Sequence, residues 1–220
     1  MGLDGFSALI PAAGEGNRLG LGPKAFVRLG SRMLLQYVVE AFRPYAQEII
    51  AAVPKDQVSQ AKDLLPGVKV IVGGDTRQQT VRRLVALATK DLVLVHDVAR
   101  PLLRADVIRR TARAAAENGA ATAAVPVQDS LMDIDTETMV NRESLWAIQT
   151  PQAFRREVLL RAHETAFQNG RCGTDDAGLV RELGHPVSLV KADSLLLKIT
   201  TQEDLFIARS VIRSDYPIDE

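Results

Sequence analysis

Apolar residues recur along this chain in two alternating rhythms. Short, nearly unbroken apolar runs bounded by turn residues predict buried strands at Phe6–Ile10, Glu48–Val53, Val68–Val72, Asp91–Val95 and Ala120–Pro126. Between them, apolar residues at helical spacing predict helices over Met33–Phe42, Asp56–Leu65, Arg77–Ala88 and Ala105–Glu117. Strand, turn and helix in repeated succession form the βαβ signature, so an α/β domain with a mostly parallel twisted sheet is expected. The rhythm breaks over residues 127–149, where Asp133, Asp135 and Thr136 separate two runs of mixed character. An excursion of this length without its own core reads as an extended β-arm packed on a second subunit, or else as a loop with no fixed partner. Beyond Pro151 the α/β pattern resumes, with helices predicted over Phe154–Phe167, Asp175–Leu183 and Gln202–Arg213 and a strand over Pro186–Lys191. In a parallel sheet of this kind, ligands sit beyond the carboxyl ends of the strands. The loops after the first, third and fourth strands are expected to converge there.

Composition sets the outer bounds. With 220 residues, 46% hydrophobic and 25% charged, the chain suits a single domain spanning residues 1–220 with one sizeable core. Its 27 basic and 27 acidic side chains cancel, so no overall field favours nucleic acid or an anionic membrane surface. No apolar run approaches membrane-spanning length. Cys172 is the single cysteine, which forbids an internal disulfide, and no leader-like segment opens the sequence. A reducing cytoplasmic setting is therefore expected.

The chemistry gathers first in Ile10-Pro11-Ala12-Ala13-Gly14-Glu15-Gly16-Asn17-Arg18-Leu19-Gly20-Leu21-Gly22-Pro23-Lys24. Small and glycine-rich after a buried strand, this stretch lets backbone amides approach phosphate oxygens, while Arg18 and Lys24 add two cations suited to a triphosphate. A Walker loop is excluded because Lys24 follows Pro23 and precedes Ala25. A dinucleotide fingerprint fits poorly, since loop residues continue where a third glycine and a helix should stand. Spacing alone leaves nucleotide-phosphate binding, a dinucleotide fold and a purely structural turn open.

A second locus is Val95-His96-Asp97-Val98-Ala99-Arg100-Pro101. A carboxylate at a strand's carboxyl end, facing a triphosphate, can hold Mg²⁺ through oxygen, which makes Asp97 a candidate metal ligand. The alternative is a turn or cap residue. The three histidines show no ligand spacing, so His96 reads as structural, and Arg100 before Pro101 reads as a brace for its loop.

Taken together, Pro11-Ala12-Ala13-Gly14-x-Gly16-x-Arg18 with Pro23-Lys24, Gly73-Gly74-Asp75-x-Arg77, His96-Asp97-x-Ala99-Arg100-Pro101, Trp146-x-x-Gln149-Thr150-Pro151-Gln152, Thr174-Asp175-Asp176 and Lys198-Ile199-Thr200 span nearly the whole chain. In this set and order the chain resembles the 2-C-methyl-D-erythritol 4-phosphate cytidylyltransferases of the non-mevalonate isoprenoid pathway. The resemblance implies a Rossmann-like nucleotidyltransferase domain whose β-arm serves dimerisation, with CTP and a polyol phosphate as substrates and Mg²⁺ as cofactor. It implies that Arg18 and Lys24 stabilise the transition state. Nucleotide contacts fall on Pro11, Ala12, Ala13, Gly14 and Gly16, on Gly74 and Asp75, and on Thr80, where the family usually has serine. The polyol phosphate falls to Lys198, to Thr150, Thr174 and Asp175, and to Arg142 reaching over from a partner's arm. Further positions depart from the pattern: Val98 stands for a usual alanine, Ser130 for a commoner threonine, and Leu195-Leu196 replaces polar residues before Lys198. Asp193 is the nearby carboxylate that could compensate. The reaction implied is in-line attack of a substrate phosphate oxygen on the α-phosphorus of CTP with loss of pyrophosphate. A ribitol 5-phosphate cytidylyltransferase and a catalytically silent nucleotide-binding homologue are the alternatives.

Overall fold

The computed structural model describes residues 5–16 and 19–214. Arg18, one of the two expected transition-state cations, lies outside the described residues.

A seven-stranded sheet forms the frame. Its strands are β1 (Ser7–Pro11), β4 (Glu48–Val53), β5 (Lys69–Val72), β6 (Leu92–Val95), β7 (Ala120–Pro126), β10 (Trp146–Arg155) and β11 (Ser188–Lys191). Two short hairpins sit apart from it, β2 (Arg28–Leu29) with β3 (Arg32–Met33), and β8 (Leu131–Asp133) with β9 (Thr138–Val140). The helices are α1 (Leu34–Phe42), α2 (Val58–Leu64), α3 (Arg77–Leu87), α4 (Ala105–Asn118), α5 (Arg156–Gln168), α6 (Asp176–Glu182) and α7 (Gln202–Arg213). The order across the sheet is β11-β7-β10-β6-β1-β4-β5, and every pairing is parallel except those of β10 with its neighbours.

Period-two alternation explains why the central strands are apolar on both faces. Ala8 and Ile10 of β1, Ala51 and Val53 of β4, and Leu92 and Leu94 of β6 join one core with α1, α2, α4 and α7. Leu9, Ile50, Ala52, Val93 and Val95 point the other way, into a second core built with α3, α5 and α6. A strand buried on both sides has no polar face to show, so its sequence is a continuous apolar run. The expected strands, and the helices between them, stand within a few residues of their predicted bounds.

Two differences matter. Residues Trp146–Gln149, expected to end the arm, instead open β10, which runs on through Pro151 to Arg155. This strand is inserted antiparallel between β6 and β7. Its polar centre, Gln149-Thr150-Pro151-Gln152, hides it from a periodicity reading, because a proline argues against a central strand. Proline is tolerated here because the ladder to β7 slips between Ile148 and Gln152, at an irregularity where a missing N–H costs no ladder bond. Helix α5 accordingly starts at Arg156 rather than at Phe154. What remains of the arm, β8 and β9 with their flanks, is a hairpin in which every residue from 128 to 144 is exposed.

Candidate active site

The loops after β1, β5 and β6 converge as expected, around a cleft of about 320 Å³. The first contributes Pro11, Ala13, Gly14, Gly16 and Lys24 to its walls, the second Gly74, Asp75 and Thr76, and the third Asp97, Val98 and Ala99. Arg77 and Thr80 of α3 and Lys198 of the segment before α7 complete it. Ala12 is fully buried behind this wall, with its N–H donating to Ala52 O.

Each loop is held by its own short-range bonds. In the first, Gly16 has φ +72, and a Cβ there would lie 2.3 Å from Gly22 O, so only glycine lets the loop fold back on itself. The Lys24 ammonium donates to Ile199 O at 3.0 Å, tying this loop to the segment that carries Lys198. In the second, Thr76 caps α3 by accepting from Gln79 N–H, while the Thr80 hydroxyl accepts from Gly74 N–H at 3.0 Å and donates to Thr76 O at 2.9 Å. Thr80 is thus the hook that shapes the expected nucleotide loop.

The third loop is organised from beneath. His96 is fully buried, and its Nε2–H donates to Arg100 O at 2.9 Å, which leaves Nδ1 to accept from the Thr150 hydroxyl at 3.1 Å. The same hydroxyl oxygen accepts from Asp97 N–H at 3.1 Å. Burial pushes the His96 imidazole down to about 4, outweighing the backbone acceptor at Arg100 and the Asp97 charge, so the ring is neutral and structural, as its sequence context suggested. Thr150, expected near the substrate, spends its hydroxyl on this scaffold and does not line the cleft. Arg100 braces the loop as expected, donating to Leu196 O at 2.7 Å, and Ile199 N–H donates to Ala99 O at 2.7 Å.

Of the Leu195-Leu196 departure, burial accounts for Leu196, and nothing in the structure explains leucine at Leu195. Leu196 is buried in the core beside α7, and Asp193 accepts from Leu195 N–H at 2.8 Å, forming the turn. Asp193 is absent from the cleft wall, its carboxylate closing the turn before Lys198 instead.

Asp97 is the electrostatic centre of the cleft. Arg77 Nε donates to its Oδ1 at 3.0 Å and Lys198 Nζ to its Oδ2 at 2.7 Å. Burial raises the Asp97 carboxyl, but the charges of Arg77 and Lys198 outweigh it and hold the group far below the usual carboxylate range. Two hydrogen bonds use about half of the roughly four acceptor sites of a carboxylate. Asp97 therefore fits a hard divalent cation held by one protein ligand, with phosphate and water oxygens completing its shell. Among the described residues no group of three or more His, Cys, Asp or Glu side chains forms a protein-only cage.

Sequence reasoning placed no role on Arg77 or Asp176. Arg77, itself part of the cleft wall, also donates to Asp176 Oδ2 at 2.8 Å, and Asp176 Oδ1 lies 2.9 Å from His163 Nε2, with Asp176 and His163 buried behind that wall. The motif spacing marked these residues, but nothing in the chain order says that the first residue of α6 is buried against the first residue of α3. Asp175 caps α6 by accepting from Gly178 N–H at 2.8 Å and also accepts from Gln152 Nε2 at 2.9 Å. Neither Asp175 nor Thr174 lines the cleft. Arg142 lies on the exposed arm, where its guanidinium donates to Gln128 O, and it too is absent from the cleft wall.

Comparison with known proteins gives the same reading over almost the full chain. Residues 6–214 match the family model of 2-C-methyl-D-erythritol 4-phosphate cytidylyltransferase. A protein of that name from Deinococcus radiodurans is 48% identical over 210 residues, covering 93% of this chain and 88% of its own length. One from Thermus thermophilus is 42% identical, over 94% of this chain and 97% of its own. The crystal structure of a 2-C-methyl-D-erythritol 4-phosphate cytidylyltransferase from the same organism superposes with a TM-score of 0.84 at 41% identity, covering 94% of this chain and 98% of that one. A 4-diphosphocytidyl-2C-methyl-D-erythritol synthase from Anaerococcus prevotii reaches the same TM-score at 27% identity, over 96% of this chain and all (100%) of the other. Matches of this identity over nearly the whole chain leave one conclusion: the chain belongs to the 2-C-methyl-D-erythritol 4-phosphate cytidylyltransferase family.

Proposed function

We propose that the cleft between the three loops is where this reaction takes place, with the triphosphate of CTP against the glycine-rich loop and the polyol phosphate toward Lys198. As a family member the chain is a cytidylyltransferase, transferring a cytidylyl group from CTP to 2-C-methyl-D-erythritol 4-phosphate in isoprenoid precursor synthesis. The observation that carries the site assignment is the convergence of Lys24, Lys198 and Asp97 on one glycine-walled cleft.

The attacking phosphate oxygen is already ionised at neutral pH, so the reaction needs no strong general base. The neutral, fully buried His96, bonded to a backbone carbonyl and a hydroxyl, is consistent with that economy. What the protein must supply is positioning and charge. Lys24 meets the negative charge that grows on the departing pyrophosphate, and the resemblance gives Arg18 the same task. Lys198, with its side chain 40% exposed, offers an ammonium to the incoming phosphate. Mg²⁺, where bound, would rest on Asp97 and neutralise charge on the triphosphate.

The arm supports a homodimer. Ile134 is 81% exposed, Met139 66% and Met132 57% on a hairpin with no core of its own, an apolar surface suited to a second copy of the chain. Arg142 sits on that hairpin, and in such a dimer it completes the partner's site. Among the described residues no helix is long and apolar enough to cross a membrane. A single exposed cysteine, Cys172, supports a cytoplasmic setting.

Turnover measured with CTP and Mg²⁺ against methylerythritol 4-phosphate and ribitol 5-phosphate tests the reading. Preferred use of the first supports it. Preferred use of the second moves the substrate assignment, and CTP binding without turnover of either would make the chain a silent homologue.

A further inference from the structure

From the arrangement behind the cleft we infer that Arg77 is a positioning residue for the cytidylyl transfer, fixing the Asp97 carboxylate through an anchor formed by Asp176 and His163. The inference rests on the assignment of Asp97 to the reacting triphosphate.

The anchor starts at α5. His163 is fully buried and its Nδ1 has no hydrogen-bond partner, so the ring proton belongs on Nε2, where it donates to Asp176 Oδ1 at 2.9 Å. Asp176 is 1% exposed, and its other oxygen accepts from Arg77 at 2.8 Å. The guanidinium then reaches forward with Nε to Asp97 Oδ1 at 3.0 Å. One rigid planar group thereby joins two carboxylates on two different elements, a task a single ammonium cannot perform in the same geometry. Burial pushes the Asp176 carboxyl up, but Arg77 and the His163 hydrogen bond outweigh it and keep the group ionised.

Stability alone is a weak reason for such a pair. Buried ion pairs spend much of their attraction on desolvation and can often be replaced by apolar residues without loss. Position offers a better one. Asp97 has two cationic partners of different character: Lys198, on an irregular segment, is 40% exposed at its side chain, whereas Arg77 stands at the start of a helix and is held from behind. When phosphates enter, Lys198 is the partner free to turn toward them. Arg77 keeps the carboxylate aimed in either case.

Arg77→Lys, Asp97→Asn and the double variant test this, with kcat and KM for CTP, CTP affinity by calorimetry without metal, and thermal melting of each. Arg77→Lys is expected to lower kcat on the order of 10²-fold, the scale of a misplacement of about 1 Å, with CTP affinity kept within about threefold. The double variant should be no slower than Asp97→Asn alone, because Arg77 acts through Asp97. Asp176→Asn should lower kcat in the same way although Asp176 does not reach the cleft. The inference is overturned if Arg77→Lys keeps wild-type kcat, if the two losses multiply, or if kcat per folded molecule is unchanged and only melting falls. Asp97→Asn turning over at the wild-type rate would instead overturn the Asp97 assignment itself.

Discussion

Gly73→Ala should cripple this enzyme without placing a single atom in its cleft. Gly73 follows β5 immediately before the nucleotide loop, and a Cβ built there would lie 2.2 Å from Ala13 Cβ and 3.3 Å from Thr80 Oγ1. Two carbons in ordinary contact stand about 3.5–4.0 Å apart, so one of the two cleft loops must retreat by more than about 1 Å. Neither can do so freely. Gly73 N–H donates to Val53 O at 2.9 Å and its carbonyl accepts from Arg83 at 2.6 Å, while the Ala13 methyl has no rotamer to escape by. Overpacking of this kind costs about 1–3 kcal/mol of stability. A shift of about 1 Å between the walls is expected to lower kcat/KM for CTP by on the order of 10²-fold. Ala13→Gly removes the opposing methyl. The double variant Gly73→Ala with Ala13→Gly should therefore recover most of the activity that the first change removes, a positive coupling between residues 60 positions apart in sequence. Steady-state kinetics with CTP as the varied substrate, with melting curves to normalise for folded protein, would decide it. If Gly73→Ala alone were near normal, or if Ala13→Gly added to the damage instead of relieving it, the steric account would be wrong.

Lys24→Ala should reduce kcat by on the order of 10²–10³-fold while weakening CTP binding far less, because its contact strengthens as charge moves to pyrophosphate; comparable losses in kcat and affinity would refute the assignment. Mixing inactive Arg142→Ala and Lys24→Ala chains should restore activity if the arm crosses a two-fold axis, since one site in each mixed dimer then carries neither lesion, and no recovery on mixing would show that Arg142 acts within its own chain or not at all. Asp176, held below the usual carboxylate range, stabilises the fold fully above the unfolded value of about 3.9, and that contribution drains away as pH falls through the lowered folded value. Urea midpoints between about pH 5 and 2 should consequently fall less steeply for Asp176→Asn than for the wild type, and parallel slopes would argue against it.

What could be read from the residues divides along physical lines. Strands such as β1, β4 and β6 are legible because burial on both faces leaves a signature that is local and one-dimensional. The phosphate loop is legible for a similar reason, its glycines and cations being neighbours in sequence. β10 is not, because its polar middle serves the loop after β6 through Thr150 and the start of α6 through Gln152, at the cost of its own apolar pattern. The Arg77 anchor escapes for another reason. Its members come from three helices, and a buried carboxylate such as Asp176 looks in sequence like any acidic residue opening a helix. Leu196 stands out in sequence only as a departure from polar counterparts beside the site; the structure puts its side chain in the core that includes α7.

The arm has a topological property that its exposure alone does not convey. β7 ends at Pro126 and β10 begins at Trp146, and these two residues are paired partners in adjacent antiparallel strands. The whole of the intervening excursion is therefore the loop of a single large hairpin, entering and leaving the sheet at one point. Since the entropy of closing a loop changes only slowly with its length, the excursion can grow, shrink or be exchanged without asking any strand to move. Replacing residues 127–145 with a tight turn should leave a folded, CTP-binding chain, and under the proposed dimer it should lose self-association together with the Arg142 contribution to the substrate site, while the sheet and the three cleft loops stay as they are.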